Sequence, residues 1–218
     1  MLSSRDIKAR MDRRHKFIVS DKHKFIYYEI QKCATETMRR YFLGQKNRMV
    51  TNNPYGARRI SGGRSKAYPY EQDCYMQFTF VRNPWARTIS AWLSKFKYYY
   101  DPKHPTLPGI RDPQLSLNTT FEEYVDFILK VPDDRADCHF KSMHCFIPEK
   151  NITVGRVESL ESDFNGIRLQ LGLPLLPVPR ENVTNKTAPW QDYYTDILKD
   201  KVAQRYAKDI ELYGYSFD

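Results

Sequence analysis

At 218 residues with 41% hydrophobic side chains, the chain is long enough to bury a core and has the composition of a globular protein. No apolar run approaches the roughly 20 residues of a membrane-crossing helix, and no signal-type segment follows the polar opening Met1-Leu2-Ser3-Ser4-Arg5-Asp6, so no membrane span is expected. The 35 Lys and Arg outnumber 26 Asp and Glu, and the net charge of +9 favours polyanionic partners (nucleic acid, anionic membrane, phosphorylated nucleotide, sulfated glycan) without separating them.

Residues 1–23 read as a basic arm, with Arg5, Lys8, Arg10, Arg13, Arg14, Lys16 and Lys22 around one short apolar run, Phe17-Ile18-Val19. Such an arm is either solvated and frayed or a surface that gathers an acidic substrate. From residue 24 to 218 the chain reads as a single domain. Phe25 to Ile30 is β-branched and aromatic, as a buried strand is; it runs directly into Gln31-Lys32-Cys33-Ala34-Thr35-Glu36-Thr37. Met38 to Leu43 then reads as a helix stopped by Gly44. Residues 45–72 are polar and read as a long loop. A second strand spans Met76 to Val81. Arg82-Asn83-Pro84 opens a helix, with Asn83 as N-cap and Pro84 in the first turn.

Residues 101–118 hold four prolines and read as irregular. Phe121 to Lys130 is helical, Ile152 to Val157 a third strand, and Leu160 to Leu171 a helix. After the proline-rich stretch from Leu173 to Pro179, a last helix is expected over about Asp192–Tyr213, stopped by Gly214. Its Leu198, Val202, Tyr206 and Ile210 recur every four residues as a core stripe. Strands alternating with helices argue for an α/β sandwich around a parallel sheet, which binds its ligands at the carboxyl ends of the strands.

Two segments lie at those ends. In the first, a strand turning straight into a helix leaves backbone N–H groups without intrahelical partners, and these donors with the helix dipole suit phosphate or sulfate. Ala34 and Thr35 are small enough for an anion to approach, Thr35 and Thr37 add hydroxyls, and Lys32 adds a mobile charge. The pattern is not the GxxxxGK[ST] of nucleoside-triphosphate enzymes. A capped helix beside an ordinary surface lysine is the bland alternative. Glu36 fits an anion loop poorly; it either faces outward as a first-turn acid or serves as a base toward an acceptor.

In the second segment, Trp85, Ile89, Trp92 and Phe96 form a buried helical stripe, and Asn83, Arg87, Ser90 and Ser94 gather on the opposite face, expected to be solvated. Arg82 at the strand end offers a planar fork for a phosphate, and the Ser90 hydroxyl completes the cradle. A second phosphate site beside the first suits a nucleotide phosphorylated at both 5′ and 3′ positions. ATP has no 3′-phosphate.

On these residues the chain resembles the PAPS-dependent sulfotransferases (PAPS, 3′-phosphoadenosine 5′-phosphosulfate), in particular the branch that modifies heparan- and chondroitin-type carbohydrates. Ile30 to Thr37 is similar to that family's 5′-phosphosulfate loop, and Phe80-Val81-Arg82-Asn83-Pro84-Trp85-Ala86-Arg87-Thr88-Ile89-Ser90-Ala91 to its FVRxPxxRxxSA 3′-phosphate motif. Cys138-His139-Phe140 resembles an H-(W/F) element, and Gly155 to Leu160 with Asp163-Phe164 a strand-plus-helix stretch. Asn185-Lys186-Thr187 resembles a late turn that approaches the donor, and Tyr206 to Tyr215 a typical ending.

The resemblance implies a P-loop-like three-layer sandwich with a central parallel sheet and a strand-loop-helix phosphosulfate motif. It implies donor contacts from Lys32, Cys33, Ala34, Thr35, Glu36 and Thr37 on the 5′-phosphosulfate, from Arg82 and Ser90 on the 3′-phosphate, and from Lys186 and Thr187. It also implies sulfonate transfer from PAPS to an acceptor hydroxyl on a saccharide, leaving PAP (3′-phosphoadenosine 5′-phosphate), with Lys32 catalytic. The family's histidine or glutamate base between the first two motifs has no counterpart in residues 37–70. Of the five histidines, His15, His23 and His104 lie in or beside the arm or in a proline-rich loop. His139 and His144 lie nearer the sheet, and His139 is the expected base, with Glu36 and Glu71 as acidic alternatives.

No metal is expected, because Cys33, Cys74, Cys138 and Cys145 form no paired zinc-type spacing. Free thiols suit a cytoplasmic location; the four sequons at Asn118, Asn151, Asn182 and Asn185 suit a Golgi-lumenal one if an anchor has been removed. Nucleic acid is not expected as a partner. The competing readings are an ATP-dependent phosphotransferase and a non-enzymatic polyanion binder.

Overall fold

The computed structural model describes residues 16–44, 54–61, 74–97, 115–116, 118–147, 151–178 and 188–218. The chain divides into two compact units, each discontinuous in sequence: residues 1–81 with 146–184, and residues 82–145 with 185–218. Among the described residues no helix is long and apolar enough to cross a membrane.

The first unit is built on a five-stranded sheet of β1 (Lys16–Ser20), β2 (Phe25–Tyr28), β3 (Ala57–Ser61), β4 (Met76–Val81) and β5 (Ile152–Arg156), ordered β3-β1-β2-β4-β5. β2 pairs parallel with β4 and β4 with β5, as the α/β reading requires. The expectation of a wholly parallel sheet is corrected at the other edge, where β1 runs antiparallel to both β2 and β3. A tight turn joins β1 to β2, and Lys24 takes a left-handed φ of 52° in it.

Side chains alternate between two faces. Ile18, Phe25, Tyr27, Phe78 and Phe80 pack with Met38, Tyr41 and Phe42 of α1 (Thr35–Leu43) and with Phe164 and Ile167 of α4 (Leu160–Gln170). Phe17, Val19, Ile26 and Tyr28 form the core of the other face with Tyr75. At Gly155 of β5 a Cβ would stand 2.5 Å from the Phe80 ring, so only glycine fits the strand there.

Two expectations fail for one reason. Residues 16–20, counted in the basic arm, and residues 57–61, counted in the long loop, are strands. Both are short runs among charges, and it is pairing, of β1 with β2 and of β3 with β1, rather than local propensity, that makes them strands.

In the second unit, α2 (Pro84–Trp92) begins as the sequence implies, with Asn83 Oδ1 accepting from the amides of Trp85 and Ala86 at 3.1 and 3.3 Å. A single π turn, Leu93–Lys97, extends it. α3 (Phe121–Lys130) opens with a capping box between Thr120 and Glu123. The expected last helix is three pieces: a 3-10 turn at Trp190–Tyr193, α5 (Asp196–Arg205) and α6 (Ala207–Tyr213), broken at Tyr206. Leu198, Val202 and Tyr206 are buried as the stripe requires, and Ile210 is half-buried.

Candidate functional site

β2 and its parallel neighbour β4 end at the same edge of the sheet, at Tyr28 and Val81. After β2 the chain turns through Gln31–Ala34 with two non-glycine residues in the left-handed region, Lys32 at φ 68° and Ala34 at φ 58°. Each costs on the order of 1 kcal/mol. Alternating turns of this kind aim successive amides into a concavity that suits an anion. Ala34 is also the N-cap of α1, which like α4 and α6 carries no side-chain cap, whereas Asn83, Thr120 and Thr195 cap α2, α3 and α5. The opening amides of α1, at Thr35, Glu36 and Thr37, belong to the turn that has no i−4 carbonyl to bond.

The loop is braced from within. Thr35 Oγ1 donates to the Ile30 carbonyl at 2.6 Å and the Cys33 amide to the same carbonyl at 3.1 Å. The Thr35 proton thus holds the turn in this structure. Cys33 is fully buried, Thr35 and Thr37 are buried, and Lys32, Ala34 and Glu36 are half-buried. Glu36 takes an ion pair with Arg39 one turn on, which agrees with the outward orientation.

Sequence reasoning missed Glu29, reading it as part of an apolar strand. Its side chain is 0% exposed and sits between two guanidinium forks. Arg39 Nε and Nη2 lie 3.0 and 2.6 Å from its two oxygens, and Arg59 Nε and Nη2 of β3 lie 2.8 Å from each. Burial works against the charge, but the hydrogen bonds from Arg39 and Arg59 hold the carboxyl below the usual carboxylate range. β2, α1 and β3 are thereby tied together immediately before the turn. A lone glutamate between Tyr28 and Ile30 was the available signal, since an acid within a buried strand requires a partner.

In the second unit, Arg82 and Ser90 are half-buried, and the Arg82 amide donates to Met143 Sδ at 3.5 Å. The polar face of α2 is not solvated, which overturns that expectation. Asn83 is buried with its Nδ2 donating to the Ser216 carbonyl at 2.7 Å, and Arg87 is 2% exposed with Nη2 reaching the Cys138 carbonyl at 3.4 Å. Arg87 thus connects the 82–90 segment to the turn that carries His139.

His139 Nδ1 lies 2.6 Å from Asp137 Oδ1, which also accepts from the His139 amide at 2.9 Å. Burial raises the Asp137 pKa, but the hydrogen bond from His139 outweighs it and the carboxyl is held below its usual range. His144 makes a different pair. Asp209, fully buried, accepts from the amides of Met143 and His144 and from His144 Nδ1 at 2.7, 2.9 and 2.7 Å. That hydrogen bond, followed by one with Cys145, raises the His144 pKa from 6.5 to about 9. A cation at neutral pH is not a general base. Arg205 of α5, Tyr206 at the break and Asp209 of α6 all hold the 133–144 stretch, through Asp133, Ser142, Phe140 and His144.

The His144 pair makes stability pH-dependent. Because its folded pKa is raised, the contribution is fully present below pH 6.5 and is lost as pH rises through about 9. For this half-buried group the loss is on the order of 2 kcal/mol. Thermal melts between those limits are expected to show a falling Tm in the wild type and a flatter profile in His144→Gln.

Asp133, His144 and Cys145 bring three ligand-type atoms together, as do Asp137, Cys138 and His139. In each set the carboxylate or imidazole nitrogen is already engaged, Asp133 by Arg205 and Nδ1 of His139 by Asp137. The four cysteines are free thiols. Lys186, Thr187, Glu71, His15 and His104 lie outside the described residues. The structure thus groups Lys32 to Thr37 at one helix start in the first unit, and Arg82, Ser90 and His139 within the second.

A family model described as the sulfotransferase family matches residues 15–216. No curated protein matches the chain, and no solved structure does.

Proposed function

The chain belongs to the sulfotransferase family and is therefore a sulfonate-transferring enzyme, and on that premise we propose that its donor is PAPS and its acceptor a saccharide hydroxyl. The observation that carries the donor reading is the start of α1: left-handed Lys32 and Ala34 turn the chain into a helix without a side-chain cap. Donors fixed in this way serve an anion without reorganising. In this reading the amides of residues 34–37 and the Lys32 ammonium hold the 5′-phosphosulfate while Cys33 braces the turn behind them, and Arg82 and Ser90 hold the 3′-phosphate, with Lys186 and Thr187 as further contacts.

PAPS supplies an activated sulfonate whose departure places charge on a phosphate oxygen. Lys32 stabilises that charge as it develops, and His139 takes the proton of the acceptor hydroxyl. The net charge of +9 favours an anionic glycan as acceptor. The P-loop-like reading of the fold rests on the strand-turn-helix from β2 to α1.

Thermal stabilisation by PAP, ATP and a heparin oligomer tests the donor. PAP at about 100 times its Kd should stabilise by about 2.7 kcal/mol. Arg82→Ala and Ser90→Ala should weaken this, the arginine by about tenfold or more in affinity. Equal stabilisation by ATP would favour a phosphotransferase; a response to heparin alone would favour a polyanion binder.

A further inference from the structure

We propose that Asp137 is a positioning residue for the reaction, fixing the ring and the proton of His139 so that Nε2 is the atom that accepts the hydroxyl proton. The inference rests on the reading of His139 as the base and deepens it. Its starting point is geometric: one carboxylate oxygen, Asp137 Oδ1, receives both the His139 amide and Nδ1, at 2.9 and 2.6 Å. Two contacts from one residue to a single atom leave the ring little freedom to turn.

The charge state then sets the tautomer. An ionised carboxylate accepts and cannot donate, so the Nδ1 that faces it carries the hydrogen and Nε2 carries the lone pair. The groups around Asp137 favour that ionised state. Lys95 of the π turn contributes an attractive charge, and the π turn brings it to the Asp137-Cys138 stretch that Arg87 of α2 also reaches. Further titratable neighbours among the described residues are the Cys138 thiol, 3.6 Å from Nδ1, and the buried phenol of Tyr124 on α3.

In the transfer step the acceptor oxygen forms the new O–S bond and its proton passes to Nε2. The S–O bond to the donor phosphate breaks, and PAP leaves with that electron pair. The imidazolium so formed is stabilised by Asp137, and water later removes the proton. Asp137 touches neither sulfur nor acceptor; it acts through the ring.

The test compares Asp137→Asn with His139→Ala in the whole chain. Asp137→Asn is expected to lower kcat by about 10²-fold or more, to move the acid limb of the kcat–pH profile to lower pH, and to keep the wild-type thermal shift with PAP. A merely structural role would lower the PAP shift and kcat together and leave the profile in place, which would overturn the proposal. Isotope-labelled imidazole NMR of the wild-type protein gives a reading independent of activity and of how the variant folds. A neutral His139 with its hydrogen on Nδ1 supports the assignment, and one with its hydrogen on Nε2 overturns it. If His139→Ala retains turnover, it is the base that is misassigned. If His139→Ala is inactive while Asp137→Asn matches wild type in rate and profile, only the role of Asp137 falls.

Discussion

Lys32→Ala is expected to lower kcat by about 10²- to 10³-fold while leaving the affinity for PAPS nearly intact. The asymmetry follows from the backbone. Residue 32 holds a left-handed φ of 68°, which alanine tolerates no worse than lysine, so the turn and the amides of α1 survive the change. Those amides bind the ground state and the ammonium acts on charge that grows only as the sulfonate departs, so the loss appears in turnover. Single-turnover kinetics over a range of PAPS concentrations separate the two, the rate at saturation reporting turnover and the half-saturating concentration donor binding. Equal losses in both would make Lys32 a binding residue only.

Glu29→Ala is expected to destabilise the protein by about 2–3 kcal/mol, the cost of leaving two half-buried guanidinium groups without the carboxylate they share. Arg39 and Arg59 would both lose the carboxylate they clasp, and Arg39 would keep only Glu36. The urea midpoint should fall with little change in slope. A loss below about 1 kcal/mol would mean that solvent screens the network. Sulfonate transfer, measured where the variant is still folded, should fall as well, because Glu29 stands directly before the turn that leads into α1.

How much was legible depended on whether local sequence or distant pairing set each feature. The start of α2 was legible from Asn83 and Pro84, and the buried stripe of Trp85, Ile89, Trp92 and Phe96 from its period, since both are written within one turn or two. β1 and β3 were not, because Lys16–Ser20 becomes a strand by pairing with β2, and Ala57–Ser61 by pairing with β1. Periodicity likewise placed Arg87 opposite the core stripe, but it is tertiary neighbours such as the Cys138 carbonyl that make this face interior. In the candidate site the sequence singled out the 31–37 turn and His139. It was silent on Glu29, whose arginines lie 10 and 30 residues away, and on Asp137, whose role depends on ring geometry.

The mixed sheet also sets an order of assembly. Its antiparallel edge closes through the short turn after Ser20 and needs nothing beyond residue 61, so β1, β2 and β3 can zip together while the rest of the chain is still being made. The parallel pairs must wait for long crossovers to deliver β4 and then β5. By sequence separation, then, the strand that leads into α1 has its antiparallel partners nearest along the chain, and the most distant strand carries the glycine that admits the Phe80 ring.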